Sequence, residues 1–319
     1  MGIVGPAPEA QERKYMSDRG INRRKFLASA ATAGGVSLGL SLVPSSARAE
    51  SSTAGRTRRG AATWENLVEK SSFDSQEAFG EAWNHLYPWE DGDTHNGAAQ
   101  MDAGQISLDQ GVLTLKATRL SASPGLSLHS PFAPLWYRSG AIHAKRQIIV
   151  NDDYPEYDIE GEFQTQTGPG VWPAFWTTGM EPNWPPESDI LEYVGVNDQG
   201  DSVNFFNTWY QPNSGDATYH RSEVPVDDPN ARFYRYRVWM YKSGNDVKLD
   251  YYFDGDYVDT HTVPGWVDVP QTLIINLQMG AYASNIEEGD AGWADQRPGP
   301  DGDTYFRARN VWFGRTVAG

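Results

Sequence analysis

The 319-residue chain contains no cysteine. That excludes disulfides, a thiol nucleophile, Cys-ligated zinc and a lipid-modified bacterial leader. Histidine is sparse: six residues, with no pair at metal-ligand spacing. Beyond the N-terminal region no apolar run approaches the length of a transmembrane helix. Basic residues are outnumbered, 26 Lys and Arg against 42 Asp and Glu, for a formal net charge of −16. Such a surface repels phosphate backbones, so no nucleic acid is expected as a partner. Neither a Gly-rich phosphate loop nor a G-x-S-x-G elbow occurs. No amphipathic segment of helical period runs longer than two turns.

What is plentiful is turn residues and aromatics: 32 Gly, 20 Pro, 12 Trp and 16 Tyr. Short alternating runs lie between the turns. Val112–Thr118 sets Leu113, Leu115 and Ala117 on one face. Phe233–Met240, Val247–Phe253 and Tyr257–Thr262 are separated by tight turns and read as a β-meander. Thr272–Met279 is nearly all apolar, as a strand covered on both faces should be, and Tyr305–Phe313 supplies a last strand. The pattern predicts an all-β fold, a two-sheet antiparallel sandwich.

The N-terminus reads as an address. Asn22-Arg23-Arg24-Lys25-Phe26-Leu27 has the form of a twin-arginine export signal. An apolar but Ala- and Gly-rich stretch follows from Phe26 to Val43, and Ala47-Arg48-Ala49 offers a small-x-small cleavage site. Met16 is an alternative start. The expected organisation is a signal peptide over 1–49, a flexible linker over 50–62 and one β-sandwich domain over 63–319. The expected location is outside a prokaryotic cytoplasm, extracellular or periplasmic, with no membrane contact after cleavage. The mature chain is read as a monomer.

The segment that carries chemistry is Gly170–Gly195, GVWPAFWTTGMEPNWPPESDILEYVG. It holds Glu187, Asp189 and Glu192 within six residues. In a regular strand Glu187 and Asp189 share a face, and Glu192, five residues on from Glu187, points the other way. A β-bulge between Asp189 and Glu192 restores the third acid to the first two, with Ile190, Leu191 and Val194 left to pack on the core. Three carboxylates on one face repel, and one must hold a proton. Glycoside hydrolysis needs that combination: one carboxylate ionised beside the anomeric carbon, another protonated beside the leaving oxygen. Trp172, Trp176 and Trp184 stand close by and offer flat apolar faces for sugar rings. Asn207, on the strand expected next, is a further candidate substrate contact. His220 falls in a polar stretch read as a surface loop.

W-P-A-F-W followed by E-S-D-I-L-E-Y resembles glycoside hydrolase family 16. Further segments share the likeness: Trp83 with Tyr87-Pro88-Trp89, His95-Asn96-Gly97, Tyr137 to Ile142, and Tyr252 to Gly255. The resemblance implies a β-jelly-roll with a cleft on its concave face. It implies Glu187 as nucleophile, Asp189 as assisting acid and Glu192 as general acid/base. It implies a retaining, endo-acting hydrolase of a β-linked polysaccharide, either a β-glucan such as laminarin or a galactan such as agarose, porphyran or carrageenan. A non-catalytic carbohydrate-binding protein and a transglycosylase on the same fold are the rival readings. No metal or cofactor is required by the acids. Many members of the family hold a structural calcium with an Asp on the last strand, where this chain has Arg309-Asn310. Ser188 also departs from the usual aliphatic residue between the first two acids.

Overall fold

The computed structural model describes residues 62–197, 199–212, 216–284 and 299–319. The expected signal peptide lies outside the described residues, as does all of the expected linker but Ala62. β1 (Thr63–Val68) is followed by a short helix, α1 (Gln76–Ala82), whose first turn is capped by the Ser75 hydroxyl accepting from the Ala78 amide. Short strands come next: β2 (Trp83–His85), β3 (Ala99–Met101), β4 (Ile106–Asp109), β5 (Val112–Arg119), β6 (Tyr137–Ser139) and β7 (Ala141–Ala144). Longer ones succeed them: β8 (Glu156–Thr165), β9 (Val171–Gly179), β10 (Glu187–Glu192), β11 (Val203–Tyr210) and β12 (Thr218–Pro225). The expected meander is β13 (Tyr234–Ser243), β14 (Asp246–Phe253) and β15 (Asp256–Pro264), and the chain closes with β16 (Gln271–Met279) and β17 (Thr304–Val317).

Two sheets result. One has ten strands along the path β15-β14-β13-β8-β17-β5-β6-β3, with β1 beside β17 and β4 beside β5. The other has seven, in the order β12-β11-β10-β9-β16-β7-β2. The pairings are antiparallel except for β3 with β6. β8 alternates between buried and half-buried positions, as a strand with one solvent-facing side should, whereas every residue of β9 and β16 is buried.

The core lies between the sheets. Phe163 of β8 meets Phe175 of β9 with ring centroids 4.7 Å apart, and Phe206 of β11 meets Tyr251 of β14 at 5.1 Å. Ile190 and Leu191 are fully buried, as expected, but Val194 is only half-buried. Tyr193 takes the core position instead, its hydroxyl 2.8 Å from that of Tyr236 on the facing sheet. The strand ends at Glu192, so its alternation no longer governs the residues beyond it.

Candidate active site

β10 is an inner strand of the seven-stranded sheet, and its register against β9 contains the irregularity that the acids require. Glu187 pairs with Thr178 and Asp189 with Trp176; then Ile190 is skipped, Leu191 pairs with Phe175 and Glu192 with Ala174. Directly opposed residues share a face. Glu187, Asp189 and Glu192 therefore lie on the side of Thr178, Trp176 and Ala174, away from the core, while Ser188 and Leu191 face inward. Glu187 and Asp189 are each only 4% exposed; Glu192 is half-buried.

Each glutamate is held by neighbours. Trp184 donates its indole N–H to Glu187 Oε2 at 2.9 Å. Trp172 does the same for Glu192 Oε1 at 3.0 Å, and Asn207 Nδ2 donates to Glu192 Oε2 at 2.7 Å. The β10–β11 ladder covers only Glu187, Ser188 and Asp189. Past the bulge, β11 side chains take over: Asn204 Oδ1 accepts the Glu192 amide at 3.0 Å and Asn207 anchors the carboxylate. An ionised carboxylate that accepts two N–H groups is fixed in orientation as well as stabilised.

The loop that presents Trp184 folds tightly on the end of β9. The Gly179 amide donates to the Pro186 carbonyl at 2.7 Å. A Cβ on Gly179 would come within 2.6 Å of the Asn183 carbonyl, so glycine permits the approach. Trp184 is half-buried, and its ring centroid lies 6.0 Å from that of Trp209, which lies 4.6 Å from that of Tyr219. Trp209 opposes Glu187 across β10 and β11. A row of three rings thus leads from Glu187 to the edge strand.

On the other flank, Trp176 donates to Asn276 Oδ1 at 2.7 Å and lies 5.8 Å from the ring of His95. His95 in turn approaches Trp89 at 4.7 Å, and Trp89 stacks on Tyr87 at 4.4 Å. His129 closes this cluster, 3.3 Å from an Asp91 oxygen. Burial holds its imidazole below the ordinary range although the Asp91 carboxylate pulls the other way. Trp172 receives the edge of Tyr282 at 5.9 Å.

All seven residues expected from the sequence are brought to one face of one sheet: Glu187, Asp189, Glu192, Trp172, Trp176, Trp184 and Asn207. Trp209, Asn276 and Arg221 join them without having been expected, because only strand pairing brings them to the acids' face, and Asn204 supports the Glu192 backbone amide from the inward side of β11. The period-two placement of Trp209 beside Asn207 was the one available signal. His220 lies on β12 rather than in a loop, opposite Thr208 and so on the face turned from the acids. Asp301 and Asp303 serve as side-chain anchors, binding Arg119 and Thr118. Among the described residues no cluster of three or more His, Asp or Glu is placed to hold a metal ion.

The chain resembles known proteins in sequence and in fold. Residues 96–297 match Glycosyl hydrolases family 16. A galactan endo-β-1,3-galactanase of Flammulina velutipes is 37% identical over 254 residues, covering 78% of this chain and 90% of that protein. The endo-1,3-1,4-β-glycanase ExsH of Rhizobium meliloti (strain 1021) is 25% identical over 60% of this chain and 38% of its own length. In fold, the catalytic domain of an endo-1,3-β-glucanase (laminarinase) from Thermotoga petrophila RKU-1 superposes with a TM-score of 0.51 at 18% identity, covering 80% of this chain and 98% of that one.

Proposed function

The chain belongs to glycosyl hydrolases family 16 and is an endo-acting hydrolase of a β-linked polysaccharide, and from that premise we propose that it cleaves a β-1,3-linked galactan with retention of configuration. The galactanase relative, which aligns along nearly its whole length, supports the choice of galactan over glucan. Glu187 is the nucleophile, Glu192 the general acid and then base, and Asp189 the acid between them. The observation that carries this is the bulge at Ile190, which turns Glu192 to the side of Glu187 and Asp189. Glu187 attacks the anomeric carbon while Glu192 gives its proton to the leaving oxygen; water, deprotonated by Glu192, then releases the sugar. The two carboxylates supply both nucleophile and proton transfer, so the reading needs no cofactor, and a structural calcium would act on stability alone. Export through the N-terminal twin-arginine motif, cleavage after Ala49 and a monomeric mature enzyme belong to the same reading.

The test is a reducing-sugar screen over β-1,3-galactan, laminarin, mixed-linkage β-glucan, agarose, porphyran and carrageenan. The expected result is release of a ladder of oligosaccharides from β-1,3-galactan. Cleavage of laminarin or mixed-linkage glucan with galactan untouched would overturn the substrate choice.

A further inference from the structure

Arg221 is the sole Lys or Arg in the seven strands of the sheet that carries the acids. It sits on β12 directly opposite Asn207 of β11 and therefore on the acids' face. Its Nε donates to Asn207 Oδ1 at 2.8 Å. Its guanidinium carbon lies 4.5 Å from the Phe205 ring centroid and 5.0 Å from that of Tyr219, so two aromatic faces hold the side chain in place. Asn207 is 2% exposed, and its other amide atom, Nδ2, donates to Glu192 Oε2 at 2.7 Å.

This arrangement decides a question that asparagine alone leaves open. An amide side chain presents either its oxygen or its NH2 to a neighbour, at similar shape. An oxygen turned toward Glu192 would repel the carboxylate and would suit only its protonated form. Arginine has donors and no acceptor. With Arg221 on one side, the Asn207 oxygen must face the guanidinium and the NH2 must face Glu192.

We propose that Arg221 is a positioning residue for the acid/base: by locking the Asn207 amide it holds the Glu192 carboxyl at the angle from which it delivers its proton to the leaving oxygen. Arg221 touches neither the sugar nor the reacting atoms in this role. The inference rests on the assignment of Glu192 as general acid. It differs from a merely structural role in one respect: the defect left by losing Arg221 depends on how badly the leaving group needs a proton.

The experiment compares wild type, R221M, R221K, N207A and the R221M/N207A double variant on the polymer and on two aryl β-oligosaccharides, one with a phenol and one with a 2,4-dinitrophenol leaving group. For R221M, kcat on the polymer should fall about tenfold or more with KM within about twofold, a fraction of the 10²–10⁴ that full general-acid catalysis supplies. Its kcat/KM should fall about as much on the phenyl substrate and stay within about twofold on the dinitrophenyl one, whose leaving group needs no proton. R221K, which keeps a donor and the charge, should recover part of the loss. N207A should show the same leaving-group pattern, and adding R221M to it should change little, because both act through one amide. Equal losses on the two aryl substrates, a change in KM alone, or additive effects in the double variant would overturn the inference. Should R221M melt early, R221K and N207A give the same discrimination. A failure of the underlying reading shows separately: Glu192→Gln would then lack the leaving-group dependence, and this inference would fall with it.

Discussion

The hydroxyls of Ser188 and Tyr251 meet across the sandwich at 2.7 Å, joining the inward side of β10, the strand of the three acids, to β14 of the facing sheet. Tyr251 continues to Thr208 Oγ1 at 2.7 Å, Thr208 to His261 Nδ1 at 2.7 Å, and His261 Nε2 to Ser222 Oγ at 3.0 Å. Ser222 gives its one proton to Asp259 at 2.6 Å. His261 must then donate from Nε2, and the neutral ring that burial favours accepts from Thr208 at Nδ1. The hydroxyl chain so runs one way, from Ser188 toward Asp259.

Removing the middle of that chain should cost stability rather than chemistry. Tyr251→Phe takes from the buried Ser188 hydroxyl its partner on the facing sheet and leaves Thr208 bonded to His261, without removing the ring that packs on Phe206. A loss of about 1–3 kcal/mol is expected from an unsatisfied buried partner. Urea unfolding reads it as a lower midpoint at constant slope. A midpoint equal to wild type would show that the chain contributes nothing net.

The same chain makes stability depend on pH. Burial pushes His261 down to about 4 from an ordinary 6.5, outweighing the upward pull of Asp259; the charge of His220 pushes it lower still. As pH falls, the unfolded chain takes up this proton near 6.5 and the folded protein only near 4. Between those values the unfolded state binds more protons, so folding stability declines as pH drops through that window and levels off below it. The full effect is on the order of 3 kcal/mol. His129 and His143 are also depressed by burial and tilt the curve the same way. Melting of His261→Gln across pH 7 to 4 should therefore show a shallower decline than wild type, not a flat line; an identical slope would count against the assignment.

The tryptophans should separate by role. Trp184 is half-buried beside Glu187, so Trp184→Ala in a Glu187→Ser background should weaken oligosaccharide binding by about 1–3 kcal/mol with little loss of melting temperature. Trp176 stands on the acids' face but is only 7% exposed, covered by the His95 ring and tied to Asn276. Trp176→Ala should cost about 3–5 kcal/mol of folding stability. Calorimetric titration and thermal melts on both variants decide the matter, and a reversed pattern would exchange the two roles.

The chemical step has its own signature. Retaining enzymes hold their two carboxyls about 5–5.5 Å apart, too close to seat a water between acid and anomeric carbon. Glu187→Ser should abolish turnover and leave binding intact. Azide should then yield an α-glycosyl azide from the Glu187 variant, given an activated donor, and a β-glycosyl azide from a Glu192→Ala variant. NMR of the first wild-type product should show the β-anomer. An α-anomer would rule out retention.

Much of this was legible in the sequence because it is local. Period-two alternation identified β5 and the meander, a continuous apolar run identified β16, and the three acids in Glu187–Glu192 demanded a bulge, since a strand without one cannot turn Glu192 to the side of Glu187. Tryptophans within fifteen positions of those acids were found by proximity along the chain. What the tertiary structure alone decided is lateral. Local period says which residues share a face of one strand, and nothing about which residue of the next strand stands opposite. That register comes from pairing between distant segments. It puts Arg221 against Asn207, 14 residues away in sequence, and Trp209 against Glu187 on the next strand, while the packing of the two sheets sets Tyr251 beneath Ser188 across 63 residues. It also gave the core position to Tyr193 rather than Val194, because the strand stops at Glu192 and the tyrosine hydroxyl finds its partner only on the opposite sheet.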